Sequence, residues 1–186
     1  MIKISRPTCP DPGKLTVQVY DDPVNKAALI KASFGKCIYC ESSVRHVDWG
    51  EIEHIKPKDS FPHLKFVWEN LGFVCARCNN KKGIKFDEQV PYINPYEEEP
   101  SDFITAEGSM IMEKEDNVRG RNTIVDIGLN RDELLEKRYE AIRRIKKTAD
   151  ALALVAEPKK SILLEELKEE ASEDKEFSFV IKQLFQ

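Results

Sequence analysis

Apolar positions along this chain change their period several times, and each change marks a different element. Val24, Ala27, Ala28, Lys31 and Phe34 run at helical spacing between the pair Asp22-Pro23 and Gly35. Aspartate offers an acceptor to the free amides of a first turn, proline has no N–H to satisfy there, and glycine tolerates the stop. The stretch therefore predicts a helix of about three turns. Upstream, LTVQVY alternates and reads as a short strand or an extended arm. Residues 42–49 and 51–55 alternate around Gly50, which predicts two strands joined by a tight turn. Pro57 ends the second strand, because proline cannot donate to a ladder. Residues 58–68 read as a connecting loop with one helical turn before Asn70, residues 71–74 as a lead into a cysteine pair, and residues 76–82 as a short helix stopped by Gly83.

Beyond Gly83 the period fades. Residues 86–100 hold three prolines and an acidic run and predict a solvated loop. Residues 102–107 and 110–115 around Gly108-Ser109 predict a hairpin, and residues 118–127 a helix broken at Gly128. Asn130 and Glu133 have the spacing of a capping box at the head of a long helix. Its apolar stripe runs through Leu134, Leu135, Arg138, Tyr139, Ile142, Ile145, Ala149, Leu152 and Val155, with Pro158 beyond the end. Amphipathic stretches at 159–171 and 174–185 complete the chain. The expected fold class is α+β, divided into a region 1–100 that carries the chemistry and a mostly helical region 101–186. Nothing in the chemistry requires the helical region, which suggests that it binds a partner.

The chain has 186 residues, no apolar run approaching the roughly 20 that a membrane span needs, and a start, MIKISRP, without the apolar core of an export signal. A cytoplasmic protein with no membrane contact is expected. The formal net charge of -4 makes the whole chain a poor electrostatic partner for nucleic acid, so DNA contact requires a local basic patch. Five cysteines include two Cys-x-x-Cys pairs, Cys37 with Cys40 and Cys75 with Cys78. In a reducing compartment this spacing favours a metal over disulfides, and four thiolates complete a closed tetrahedral Zn2+ shell that staples rather than catalyses. Cys9 is left as an ordinary thiol. The competing reading is a set of unrelated reduced cysteines or a thiol switch.

Between the two pairs lie Glu53, His54 and Asn70, and Asn79 follows directly after. A histidine with a near-neutral pKa can take a proton from water. A neighbouring carboxylate can hold a hard divalent ion, and an asparagine amide can add a neutral oxygen. Asn70 is placed to hydrogen-bond backbone and hold the loop that orients His54. Adjacent strand residues point to opposite faces, so Glu53 and His54 share one site only if the strand twists near Pro57.

The segments EIEHIKPK and ENLGFVCARCNNKKG resemble the HNH (ββα-metal) endonuclease motif. GKCIYCES, WGEIEH, KKGIKF, INPYEEEP and IGLNRDEL are similar to the HNH proteins found beside ATPases in retron and Septu anti-phage systems, over about residues 1–145. The resemblance implies a zinc-stapled ββα-metal core with an N-terminal helix, a small hairpin and a helical C-terminal extension. It implies His54 as general base, Glu53 and Asn79 as ligands of a catalytic Mg2+ or Mn2+, Asn70 in a structural role and Lys82 on a phosphate. It further implies DNA as substrate and an ABC- or OLD-like ATPase as partner. Glu53 and Asn79 stand where many members carry aspartate and histidine, which bears on metal preference. Lys56, Arg77, Lys81 and Lys82, with Lys58, Lys65 and Lys85 nearby, are the expected backbone-tracking cations. His46 and His63 are expected to be structural. The alternative function is a non-catalytic zinc adaptor or nucleic-acid reader on the same scaffold.

Overall fold

Asp11 and Pro12 start a helix rather than a strand. The computed structural model describes residues 1–44, 50–152 and 154–185, and its first element is α1 (Pro12–Thr16). The expected strand in LTVQVY is absent, because proline at the first helical position preorganises the turn that its first residues join. Helix α2 (Pro23–Ala32) follows, with the Asp22 carboxylate accepting from the Val24 and Asn25 amides. Strand β1 (Glu51–His54) pairs antiparallel with β2 (Leu71–Val74) in the register Glu51↔Val74 to His54↔Leu71.

The expected hairpin across Gly50 falls largely on residues outside those described, and the pairing of β1 with β2 was not expected. The partner of β1 is the buried run Leu71-Gly72-Phe73-Val74, which does not alternate because both of its faces are covered. Of the segment expected as the first strand, Ser43 makes a single bridge to Lys36, and residues 45–49, His46 among them, lie outside the described residues. Helix α3 (Ala76–Lys82) runs off the end of β2 and stops at Gly83, whose φ of 54° explains the choice of glycine.

Next come the hairpin β3 (Ile104–Glu107) with β4 (Met110–Glu113), then α4 (Val118–Ile127), α5 (Asp132–Leu152), α6 (Lys159–Glu170) and α7 (Ser178–Gln183). The Asn117 side chain caps α4, and Gly128 ends it in the left-handed conformation. Asn130 does not act through a capping box. Its amide instead pairs with the backbone of Ile111, accepting from N at 2.9 Å and donating to O at 2.7 Å, which ties the hairpin to the head of α5.

One connected set of buried apolar residues runs from Met1, Ile2 and Ile4 through Ile38, Tyr39, Phe73 and Ile93 to Ile127, Ile142 and Val180. Gly72 lies at a tight point in it: a Cβ there would meet Ile38 Cδ1 at 2.6 Å. A buried ionic junction crosses the same core. The Glu41 carboxylate meets the Met1 amino group at 2.8 Å, accepts from Ser178 Oγ at 2.8 Å and Phe179 N at 3.1 Å, and faces Lys36. Lys36 in turn donates to the carbonyls of Glu173 and Lys175. The start of α7 is thereby fastened beside Cys40.

The expected solvated loop at 86–100 is exposed only in its first half. Tyr92, Ile93 and Tyr96 are buried because the second half lies along α4. Arg119 donates to both Glu98 oxygens at 2.7 Å and to the carbonyls of Pro91 and Tyr92, and Thr123 Oγ1 accepts from Ile93 N. Burial works against the charged form of Glu98, but Arg119 and the Asn94 amide hold its carboxyl below the ordinary value of 4.5. A depressed carboxyl stabilises the fold above its unfolded pKa and loses that contribution as pH falls through the folded one. Arg119→Ala is expected to cost about 1–3 kcal/mol in urea unfolding at pH 7. The difference from the parent should shrink as the pH is lowered below about 4.5, and an equal difference at pH 7 and pH 3 would contradict the assignment.

Candidate active site and metal centre

Two knuckles converge on one point. Cys37 and Cys40 follow the turn after α2, Cys75 stands at the head of α3 and Cys78 within it. All four are free thiols whose sulfurs lie within 4.8 Å of one another, with Cys40 and Cys75 Sγ 3.9 Å apart. Tetrahedral coordination at about 2.3 Å per thiolate separates sulfurs by roughly 3.8 Å, so the cluster has the size of a metal shell. The soft donor set suits zinc, and four protein ligands leave no open position. Cys9 stays apart, its Sγ directed at Asn25 Oδ1.

Strand β1 carries the second group of residues to a cleft of about 520 Å³ lined by Glu51, Glu53, His54, Asn79, Tyr20, Lys26 and Lys58, among others. Glu53 and His54 thus line the same cleft despite being neighbours on a strand. His54 Nε2 lies 2.9 Å from Lys65 O. A carbonyl only accepts, so Nε2 carries the proton and Nδ1 keeps its lone pair. Burial lowers the His54 pKa, which favours the neutral imidazole. Tyr20 packs edge-on against the ring at 4.7 Å and accepts a hydrogen bond from Lys58 Nζ. Asn79 Nδ2 donates to Glu51 Oε2 at 2.6 Å, and since a carboxylate can only accept, the amide oxygen Oδ1 is left for another partner. Asn70 spans the loop: Oδ1 accepts from Lys56 N, and Nδ2 donates to the carbonyls of Lys56 and Leu64.

The HNH endonuclease family model matches residues 37–85, the stretch from the first knuckle to just past α3. Septu protein PtuB of Bacillus thuringiensis is 33% identical over 171 residues, covering 84% of this chain and 66% of that protein. Septu protein PtuB of Bacillus mycoides (strain KBAB4) is 31% identical over 163 residues, covering 71% of this chain and 55% of that protein. This is an HNH, PtuB-like protein. The chain spans between about half and two thirds of the length of these relatives.

Within the HNH domain, the expected phosphate-contacting cations land elsewhere. Lys82 is fully buried: Nζ meets Glu53 Oε1 at 2.5 Å and donates to His54 O at 3.0 Å. It is an internal partner of the acid and does not reach a phosphate at the surface. Arg77 is ion-paired with Glu133, Lys56 lies over the rings of Phe61 and Phe86, and Lys81 runs beside Gly128. None of the three lines the cleft, whose cations are Lys26 and Lys58. His63 is exposed beside Phe61.

Glu51, Tyr20 and Lys26 were not anticipated at the site. Glu51 had a readable signal, since two residues along a strand place it on the face of Glu53. Tyr20 and Lys26 had none, because only tertiary packing brings the turn before α2 and its first turns to β1.

Burial pushes the Glu53 carboxyl above its usual range and Lys82 pulls it back, so the charge depends on its buried partner. Lys82→Met is expected to destabilise the protein by about 3–5 kcal/mol in urea unfolding, by leaving an uncompensated buried acid. Adding Glu53→Gln should recover much of that loss. A single variant as stable as the parent would show that the pair is not formed.

Proposed function

We propose that the protein is a metal-dependent endonuclease that hydrolyses DNA phosphodiester bonds as the nuclease of an anti-phage defence complex. The observation that carries this reading is the convergence of a neutral imidazole, the two carboxylates of β1 and an asparagine amide on one cleft with lysines at its wall. The donor set fits a hard divalent ion. Glu53 is buried with its Oε1 held 2.5 Å from Lys82 Nζ, and Asn79 Oδ1 is left over by the bond to Glu51. Glu53 and Asn79 would hold Mg2+ or Mn2+, which supplies positive charge to the phosphate and the leaving 3'-oxygen. His54 Nδ1 takes the proton of the attacking water, while Lys65 O fixes the ring through Nε2. Asn70 keeps the loop that carries Lys65 against β1, and Tyr20 supports the imidazole from the side. Lys26 and Lys58 bind flanking phosphates, giving salt-sensitive binding with little sequence preference.

The relatives' name places them in the Septu system, and an ATPase of the ABC or OLD type is the partner we infer for this chain. The C-terminal helices contribute less free surface than their sequence suggests. Leu167, Phe177, Val180 and Ile181 are buried in the protein's own core, whereas Ile162, Leu164 and Phe185 are exposed. Each of those three remains available to a partner, and Ile162 and Leu164, two residues apart on α6, face different sides of it.

His54→Ala is expected to abolish Mg2+-dependent cleavage of plasmid DNA while leaving zinc content and the circular dichroism spectrum unchanged. Cleavage at the parental rate would remove His54 from the mechanism. No cleavage by the parent, with or without the ATPase encoded beside it, would leave a metal-stapled binding module. Ile162→Glu with Leu164→Glu should lower co-purification with that ATPase at least tenfold; full recovery of the complex would place the contact elsewhere.

A further inference from the structure

Four thiolates around a divalent ion leave two negative charges at the cysteine centre. Cys37, Cys40 and Cys78 are buried there, and buried charge is costly unless something answers it. The residue in position to do so lies outside the matched stretch 37–85. Gly128 turns the chain in the left-handed conformation at the end of α4, and three residues later Arg131 lies over the second knuckle. Its Nη1 donates to Cys78 Sγ at 3.5 Å and its Nη2 to Cys75 Sγ at 3.9 Å. Nη1 also donates to Gly128 O at 3.1 Å, which anchors the guanidinium locally. Two nitrogens of one planar fork facing two sulfurs is an arrangement that lysine cannot copy.

We propose that Arg131 is an outer-sphere residue of the cysteine metal centre, where it donates N–H···S bonds to the Cys75 and Cys78 thiolates and offsets part of their charge. Metal retention by the HNH domain then depends on the residues that open the C-terminal helical region. Arg131 acts on the staple whether or not the cleft cuts DNA.

The test uses the full chain and its Arg131→Gln and Arg131→Lys variants. Zinc content of the parent is measured first; an absence of zinc defeats the metal reading itself and this proposal with it. With zinc present, release to a chromophoric chelator should be about 10–100-fold faster in Arg131→Gln, with Arg131→Lys in between. In Co2+-substituted protein, the sulfur-to-metal charge-transfer band should move to lower energy in Arg131→Gln, because a thiolate without its hydrogen bond donates electrons more readily. A parental release rate overturns the proposal. Faster release with an unmoved band also overturns it, since that pattern belongs to a residue acting only through Gly128 and the fold. If Arg131→Gln does not fold, the same two readings on Arg131→Lys decide, and parental values of either one overturn the proposal.

Discussion

Two knuckles separated by 34 residues have to bring four sulfurs within 4.8 Å of one another, and little of the intervening chain is free once they do. The first knuckle leans on β2 through the bond from Ile38 N to Phe73 O, and the second begins where β2 ends. Strand β2 is therefore held at its side and at its end, and β1 is registered against it. The position of Glu51, Glu53 and His54 is in this sense an output of the cysteine cluster. The same cluster reaches the far part of the chain through Arg131 and, beside Cys40, through the Glu41 junction with α7.

Charge in the cleft is arranged by a second and shorter-range logic. Every acid on β1 has a partner of its own: Glu53 has Lys82, and Glu51 has the Asn79 amide. These contacts hold the carboxylates in fixed positions on the cleft wall. They also fix the orientation of the asparagine, which as an isolated side chain would have two equivalent ways to point.

Local signals in the sequence are legible where one or two residues decide the backbone. Asp22-Pro23 starts α2, Gly83 ends α3, Gly108 turns the hairpin and Gly128 ends α4, because each acts through its own φ or its own side-chain acceptor. The four cysteines and the β1 residues were legible because metal-ligand spacing and the HNH motif are short. What escaped reading depended on distant partners. The buried run 71–74 has no alternation to mark it as a strand, and Asn130 has a cap within reach but pairs with Ile111, 19 residues away. Lys82 has the local sequence of a surface cation, and only its partner Glu53, 29 residues earlier, places it inside.

Gly72 stands opposite Glu53 in the ladder and under Ile38 of the first knuckle. The spacing between the stapling centre and the acid of the cleft is thus set where the Ile38 side chain rests on the bare Cα of Gly72. Ile38 is itself fully packed and has nowhere to retreat. A methyl group at this position would act as a shim, lifting the sulfur-bearing loop off the strand and tilting the acid out of line with its neighbours. The mechanical tolerance of the site is therefore set at a residue that bears no functional group at all.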